Sequence, residues 1–139
     1  MNNKLNELGL DASNSIVIGS GILQALGIRI SKDIDLVVSQ DAYVRLKESG
    51  KFSPYVNQYK KEVLIDDLFE IGTSWDVLNK KYQFDDFKDD SIVIDEVRYV
   101  TLDFLYKVKD SWFKAGTARP KDLDDLNLIE EFKNRHGNM

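Results

Sequence analysis

The sequence predicts a mixed α/β (α+β) fold, in which helices pack on one face of a mixed β-sheet and further helices follow. Short apolar runs typical of buried strands alternate with segments of helical periodicity in the first half of the chain, and two longer helical segments close it. With 42% hydrophobic residues, the chain can form a real core. No linker rich in Gly, Ser or Pro divides the 139 residues, a length close to the ~150 residues of one domain. We therefore treat residues 1–139 as one domain.

The first half of the chain contains two predicted strands and two predicted helices. Ser15–Ile18 predicts a short buried strand. After Gly19-Ser20-Gly21, apolar residues have helical spacing up to Gly27, a residue type that often ends a helix. Residues 33–38 predict the second strand, and residues 42–49 predict a short helix.

The middle of the chain leaves alternatives open. Residues 63–71 have strand character, but Asp66-Asp67 at their centre allow a break or a bulge. Residues 74–90 fit either an irregular helix or a packed loop, because their aromatic residues follow no clear period.

The last third of the chain has clearer signals. Ser91–Ile94 and Val97–Val100 predict a hairpin around a two-residue turn. Thr101 is a good N-cap for a helix over residues 102–115. A last helix is predicted over residues 120–135, which begin with a proline, as first helical turns often do.

The composition excludes several kinds of chemistry. The chain has no cysteine and one histidine, His136 near the C-terminus, so thiolate or histidine-rich metal sites and cysteine nucleophiles are excluded. Its 19 Lys and Arg against 24 Asp and Glu give a net charge of −5, and we expect no general nucleic-acid binding. No apolar run reaches the ~18 residues of a membrane span, and the first residues do not resemble a signal peptide. We therefore expect a cytoplasmic protein with no membrane partner.

Asp33 and Asp35 are the first candidate functional residues. On a strand, residues i and i+2 point to the same face, ~6.6 Å apart, so these carboxylates lie side by side. This pair is unfavourable unless a cation lies between them, and Mg²⁺ prefers carboxylate and phosphate oxygens; a solvated strand end is the structural alternative. Upstream, Gly19-Ser20 follows a strand and opens a helix, which offers backbone N–H groups to a phosphate. A tight turn explains that feature equally well when it is taken alone.

The combined pattern resembles the signature of the nucleotidyltransferase superfamily, which has the polymerase-beta-like fold. A hydrophobic residue and Gly19-Ser20 are followed by twelve residues and then by Asp-hydrophobic-Asp-hydrophobic at residues 33–36. The run from Gly19 to Leu36 is similar to the small bacterial branch, which includes abortive-infection-type toxins and enzymes that modify aminoglycosides and lincosamides. The resemblance implies that residues 16–71 carry the catalytic motifs and that residues 101–135 form a helical C-terminal part.

The resemblance implies a third carboxylate on a neighbouring strand. The more polar alternation set of residues 63–71 contains Asp66 and Glu70. We favour Glu70, because the segment around it is similar to the family's third motif. Glu70 differs from that motif in residue type, since the family more often has an aspartate at this position. A bulge at residues 66–67 would reverse the register and make Asp67 the ligand.

A second motif lies in the C-terminal part. Lys109 falls on an apolar stripe of its predicted helix, so its ammonium must reach solvent or meet an anion. That anion is either a carboxylate of the last helix or a nucleotide phosphate. Arg119-Pro120-Lys121-Asp122, with Asp125, resembles a segment that follows the catalytic strands in the same small nucleotidyltransferases. We expect Asp122 and Asp125 to form salt bridges to Lys109 or Arg119 rather than to bind metal.

The resemblance implies transfer of a nucleoside monophosphate from an NTP to an acceptor hydroxyl, with release of pyrophosphate. Two Mg²⁺ ions, ~3.5–4 Å apart in such sites, would be bound by Asp33, Asp35 and Glu70. The residues expected to bind the nucleotide are Gly19, Ser20, Arg29, Lys32 and Lys109.

The sequence leaves the acceptor and the base of the NTP open. A small molecule, a tRNA or a protein are all candidate acceptors. A non-catalytic nucleotide-binding or toxin–antitoxin regulatory module on the same fold is the alternative function. The short chain leaves little room for a separate acceptor-binding domain, so a homodimer that completes the acceptor site is a third arrangement.

Overall fold

The computed structural model describes residues 2–136. The helices are α1 (Asn2–Glu7), α2 (Gly21–Ala25), α3 (Gln40–Glu48), α4 (Leu102–Lys114) and α5 (Pro120–His136). The strands are β1 (Ser15–Ile18), β2 (Ile34–Val38), β3 (Ser53–Val56), β4 (Glu62–Ile65), β5 (Phe69–Gly72), β6 (Ser74–Val77), β7 (Lys80–Gln83), β8 (Ser91–Ile94) and β9 (Val97–Val100). A 3₁₀ turn, Phe84–Phe87, follows β7.

One mixed sheet organises the described part of the chain. Within residues 2–136, seven strands form this sheet in the order β3-β4-β5-β2-β1-β9-β8, and β6 and β7 form a separate hairpin. Strand β2 is antiparallel to β1 and parallel to β5, whereas β1 is parallel to β9. The mixed sheet and the C-terminal helices α4 and α5 confirm the predicted fold class. The expected packing of helices on one face alone is wrong, because α1, α2 and α3 pack on one face of the sheet and α4 packs on the other.

The sheet buries apolar side chains on both faces. On one face, Val17 and Leu36 belong to a cluster that also contains side chains of α1, α2 and α3. On the other face, Ile16 and Val37 pack with Phe104 of α4 and with the β6–β7 hairpin. Because α4 and the hairpin cover only part of this second face, the remainder is open to the cleft described below.

The elements with strong local signals form as predicted. Strands β1 and β2, the β8–β9 hairpin and the two C-terminal helices are confirmed within one or two residues. The hydroxyl of Thr101 accepts a hydrogen bond from the backbone N–H of Phe104 at 3.1 Å, so its predicted N-cap role is confirmed. Residues 63–71 contain a break: Asp66 accepts hydrogen bonds from the N–H groups of Leu68 and Phe69, and this turn separates β4 from β5.

The interpretation of residues 74–90 as an irregular helix or a packed loop is wrong for β6 and β7, which form a regular hairpin. Its turn residues, Leu78 and Asn79, have φ values of 55° and 60°, as a two-residue type I′ turn requires. Leucine rarely adopts positive φ, so the sequence carries no usual signal for this turn. Strand β3 and helix α1 were also outside the predicted elements.

Candidate functional site

Asp35 and Glu70 are direct neighbours on the parallel strands β2 and β5. Because side chains alternate between the faces of a sheet, both carboxylates lie on the face of Val37, opposite Leu36. Asp33 comes immediately before β2, two residues from Asp35. The topology thus brings the two carboxylates of the Asp-x-Asp motif next to one from a separate motif.

The alternatives for the third carboxylate lie elsewhere. Asp66 binds the backbone of the β4–β5 turn through its side chain, and Asp67 is exposed in the same turn. Glu70 lines the cleft that Asp33 and Asp35 line, whereas Asp66 and Asp67 are not among its lining residues in the described part of the chain. Position therefore favours Glu70 of the three.

The carboxylates lie in a cleft of about 1030 Å³ on the open part of the sheet. Side chains of α4, the start of α5, the β6–β7 hairpin and the loop of residues 29–33 form its walls. Every residue predicted to be catalytic or nucleotide-binding lines this cleft: Gly19, Ser20, Arg29, Lys32, Asp33, Asp35, Glu70 and Lys109. Motifs separated by up to 90 positions in sequence thus share one space.

The turn between β1 and α2 contributes backbone to the cleft. Gly19 has a φ of +66°, a conformation that glycine adopts without steric cost. Ser20 precedes the first residue of α2, and its hydroxyl makes no capping hydrogen bond. The Ser20 hydroxyl therefore does not bind the first turn of α2, and Ser20 lines the cleft.

The surroundings of Asp35 favour its protonated form. Burial raises the pKa of Asp35 to about 6, and the nearby carboxylates of Glu70 and Asp33 add to this effect. Lys121 and Arg119 act in the opposite direction. A partly buried carboxylate beside two others gains from a bound cation, and these hard oxygen donors are the ligand type that Mg²⁺ prefers. Among residues 2–136, no group of three or more His, Cys, Asp or Glu side chains is gathered closely enough to hold a metal ion.

Two of the predicted phosphate-binding cations are paired with α5. The ammonium of Lys109 lies 2.7 Å from Asp122 Oδ1 and 3.0 Å from Asp125 Oδ2. Arg29 donates from Nε and Nη2 to the two carboxylate oxygens of Asp125 at 2.6 and 2.7 Å. The expected salt bridges of Asp122 and Asp125 to Lys109 are therefore confirmed, and Asp122 also pairs with Arg119. Nucleotide binding by Lys109 and Arg29 stays a prediction, with both charges offset by carboxylates.

Arg119 and Lys121 were not predicted as site residues, although they line the cleft and act on the charge of Asp35. Lys121 is exposed in the first turn of α5. The signal was present, because both residues belong to the run before Asp122 that carries the second resemblance. Within that run, Arg119 was expected only as a salt-bridge partner of the aspartates, and Lys121 was given no role.

Residues of the β3–β4 and β6–β7 hairpins also line the cleft. Tyr59 and Lys61 come from the β3–β4 connection, and Asp76 and Lys81 come from β6 and β7. Lys61 bridges the two hairpins through contacts with Asp76 and with the Ser74 hydroxyl. No sequence signal pointed to these residues, because neither hairpin was predicted.

Comparisons of the chain with protein-family models, with curated proteins and with solved structures find no match. Among residues 2–136, no helix combines the length and the apolar character needed to cross a membrane. Inference about function therefore rests on the cleft and on the motifs that line it.

Proposed function

We propose that the protein is a Mg²⁺-dependent nucleotidyltransferase, which transfers a nucleoside monophosphate from an NTP to an acceptor hydroxyl and releases pyrophosphate. One observation carries the proposal: a Gly-Ser turn after β1 and carboxylates from β2, from the residue before β2 and from β5 line one cleft. The turn is Gly19-Ser20, and the carboxylates are Asp33, Asp35 and Glu70.

The carboxylates would hold the metal. Divalent cations bound there would lower the pKa of an acceptor hydroxyl and offset the charge of a triphosphate. Asp35 supports this assignment, because burial together with Glu70 and Asp33 raises its pKa to about 6. A nearby positive charge would reverse that shift and stabilise the ionised carboxylate.

The remaining cleft residues would orient the nucleotide. The backbone N–H groups and the hydroxyl of Gly19-Ser20 are donors of the kind that bind phosphate oxygens. Lys121 and Arg119 act on the same carboxylate as the proposed metal, so their charges would offset those of the phosphates. Arg29 and Lys109 would contribute to nucleotide binding indirectly, because they bind Asp125 and so fix neighbouring parts of the cleft wall.

The test is transfer of label from α-³²P-labelled ATP, CTP, GTP or UTP to acceptors in a cell extract with Mg²⁺. We expect transfer from at least one NTP with the wild-type protein, none with Asp35→Ala, and wild-type transfer with Asp67→Ala. Asp67 is a matched control, because its carboxylate is exposed in a neighbouring turn. Transfer that survives Asp35→Ala would contradict the proposal. Binding of Mg-NTP without any transfer would indicate the non-catalytic module instead.

A further inference from the structure

A buried network of charges joins α4 and α5 to the loop that precedes β2. Lys109 is 3% exposed, Asp122 is 1% exposed and Asp125 is 0% exposed. Asp125 is shared, because Lys109 binds it from α4 and Arg29 binds it from the start of the loop of residues 29–33.

Arg29 uses each of its three nitrogens within this network and its own loop. Nε and Nη2 bind Asp125, and Nη1 donates to the backbone carbonyl of Ile30 at 2.9 Å. The planar guanidinium therefore fixes the loop backbone relative to α5. Such a two-point geometry is available to arginine and not to lysine.

The loop held by Arg29 ends in Asp33. Within it, the N–H of Ser31 donates to the side chain of Gln24 at 2.8 Å. Beyond it, the N–H of Ile34 donates to the carbonyl of Leu68 at 2.9 Å. Asp33 is therefore held between an anchor on α5 and the start of the β2–β5 pairing.

A buried ion network is weak evidence for stability, because desolvation of the charges offsets their attraction. A role in fixing the position of the loop is better supported here, since Asp125 binds both Lys109 of α4 and Arg29 of the loop that ends in Asp33. Groups behind metal ligands set the orientation of those ligands, and their loss typically lowers metal affinity ~10- to 100-fold.

We infer that Asp125 is a positioning residue, which acts through Arg29 to hold the loop that ends in Asp33 at the cleft that Asp35 and Glu70 also line. The inference rests on the proposed function. It assigns to the C-terminal helix a part in metal affinity, although Asp125 itself is removed from the cleft surface.

The test uses Mn²⁺ as the probe and measures its affinity by electron paramagnetic resonance, without nucleotide, below the melting temperature of every variant. Asp125→Asn keeps the shape of the side chain and removes its charge, and we expect Mn²⁺ affinity to fall at least ~10-fold. Arg29→Lys keeps the charge and removes the two-point contact, and it should also weaken Mn²⁺ binding. Asp103→Asn is the control, because Asp103 forms another ion pair between α4 and α5, with Lys133; its Mn²⁺ affinity should equal that of the wild type.

The outcomes separate the inference from the proposed function. Asp125→Asn or Arg29→Lys with lower thermal stability but wild-type Mn²⁺ affinity would overturn the positioning role and leave the proposed function standing. If Asp125→Asn does not fold, Arg29→Lys decides the question alone. A wild-type protein that binds no Mn²⁺, or an Asp35→Asn variant that binds it normally, would overturn the proposed function and the inference together.

Discussion

Gly19 lies so close to Asp35 that a Cβ atom on Gly19 would come within 3.2 Å of the Oδ2 atom of Asp35. Gly19 also has a φ of +66°. The turn after β1 and the carboxylate on β2 thus occupy one small space, and a side chain on the turn must displace one of them.

Gly19→Ala should therefore reduce nucleotide transfer. The Asp35 carboxylate must give way by a few tenths of an ångström, and small misplacements in a catalytic site lower the rate, by ~100-fold for ~1 Å. The matched control is Gly50→Ala, because Gly50 has a φ of +72° and no atom within 4 Å of a Cβ added there. Both variants should lose a similar ~1–2 kcal/mol of stability to backbone strain, while only Gly19→Ala loses activity. Equal activity in the two variants would argue against a site role for Gly19.

The pH dependence of stability should identify Asp35. Burial and its carboxylate neighbours raise the pKa of Asp35 to about 6 from the usual 3.8 of an aspartate. The folded protein thus holds the proton more tightly than the unfolded chain, so this stability is present below about pH 4 and is lost as the pH rises through about 6. At ~1.4 kcal/mol per pKa unit, the loss is at most ~3 kcal/mol.

Urea unfolding of Asp35→Asn and of the wild type, across this pH range and without divalent cations, measures the effect. The stability of the variant relative to the wild type should rise from about pH 4 to about pH 7. Mg²⁺ should then stabilise the wild type and not the variant. A difference that does not change with pH would show that Asp35 is not the group responsible.

Removal of Lys109 should be strongly destabilising. Lys109→Met leaves Asp122 and Asp125 buried with less compensating charge, and breaking a buried pair in this way costs ~3–5 kcal/mol. Lys114→Met is the control on the same helix, because Lys114 is exposed and its pair with Asp110 lies at the surface; its cost should be within ~1 kcal/mol. Urea unfolding at neutral pH compares them, and equal costs would contradict the structural role of the network.

Gly21→Ala should disturb the packing behind the Gly19-Ser20 turn. A Cβ on Gly21 would lie 2.3 Å from Cγ1 of Val17, so the core must shift at a cost of ~1–3 kcal/mol. Val17→Ala removes the colliding methyl groups. The double variant should therefore be more stable than the sum of the two single effects predicts, as measured by thermal unfolding. Strictly additive effects would show that the contact is not the cause.

Lys121→Ala tests one of the two unpredicted cleft cations, Lys121 and Arg119. Loss of a charge-assisted contact of ~1.5–3 kcal/mol would lower kcat/KM for the NTP ~10- to 100-fold. Stability should change little, because Lys121 is exposed. Lys107→Ala, an exposed lysine of α4, is the control, and steady-state kinetics with varied NTP separate the two. Equal kcat/KM in both variants would remove Lys121 from the site.

Local chemistry explains which parts of the fold are predictable. The β8–β9 hairpin was predictable because Asp95-Glu96 separates two apolar runs by two residues, and Thr101 was predictable because a cap acts within its own helix. The β6–β7 hairpin was not, since its turn places Leu78 at positive φ. Leu78 packs against a cluster that contains Phe104 and Val108 of α4, and local sequence does not encode such a long-range contact.

The candidate site shows the same division. The spacing of Asp33 and Asp35 predicted a shared face, and the β2–β5 register then brings Glu70 beside them. The partner of Arg29 could not be predicted from the sequence, because Asp125 lies 96 positions away on α5. Only tertiary structure shows that this cation is already bound by a carboxylate.

The order of the strands constrains how the protein is made. Strand β1 pairs on one side with β2, close behind it in sequence, and on the other side with β9, where Val17 lies opposite Tyr99. During synthesis the first pairing can form early, whereas the second must wait until about residue 100 has left the ribosome. Until then the chain presents an apolar strand with an open edge, the feature most prone to adhere to other chains. Interruption of translation before β9 would therefore yield an aggregation-prone fragment. Chaperones would bind the chain at that stage.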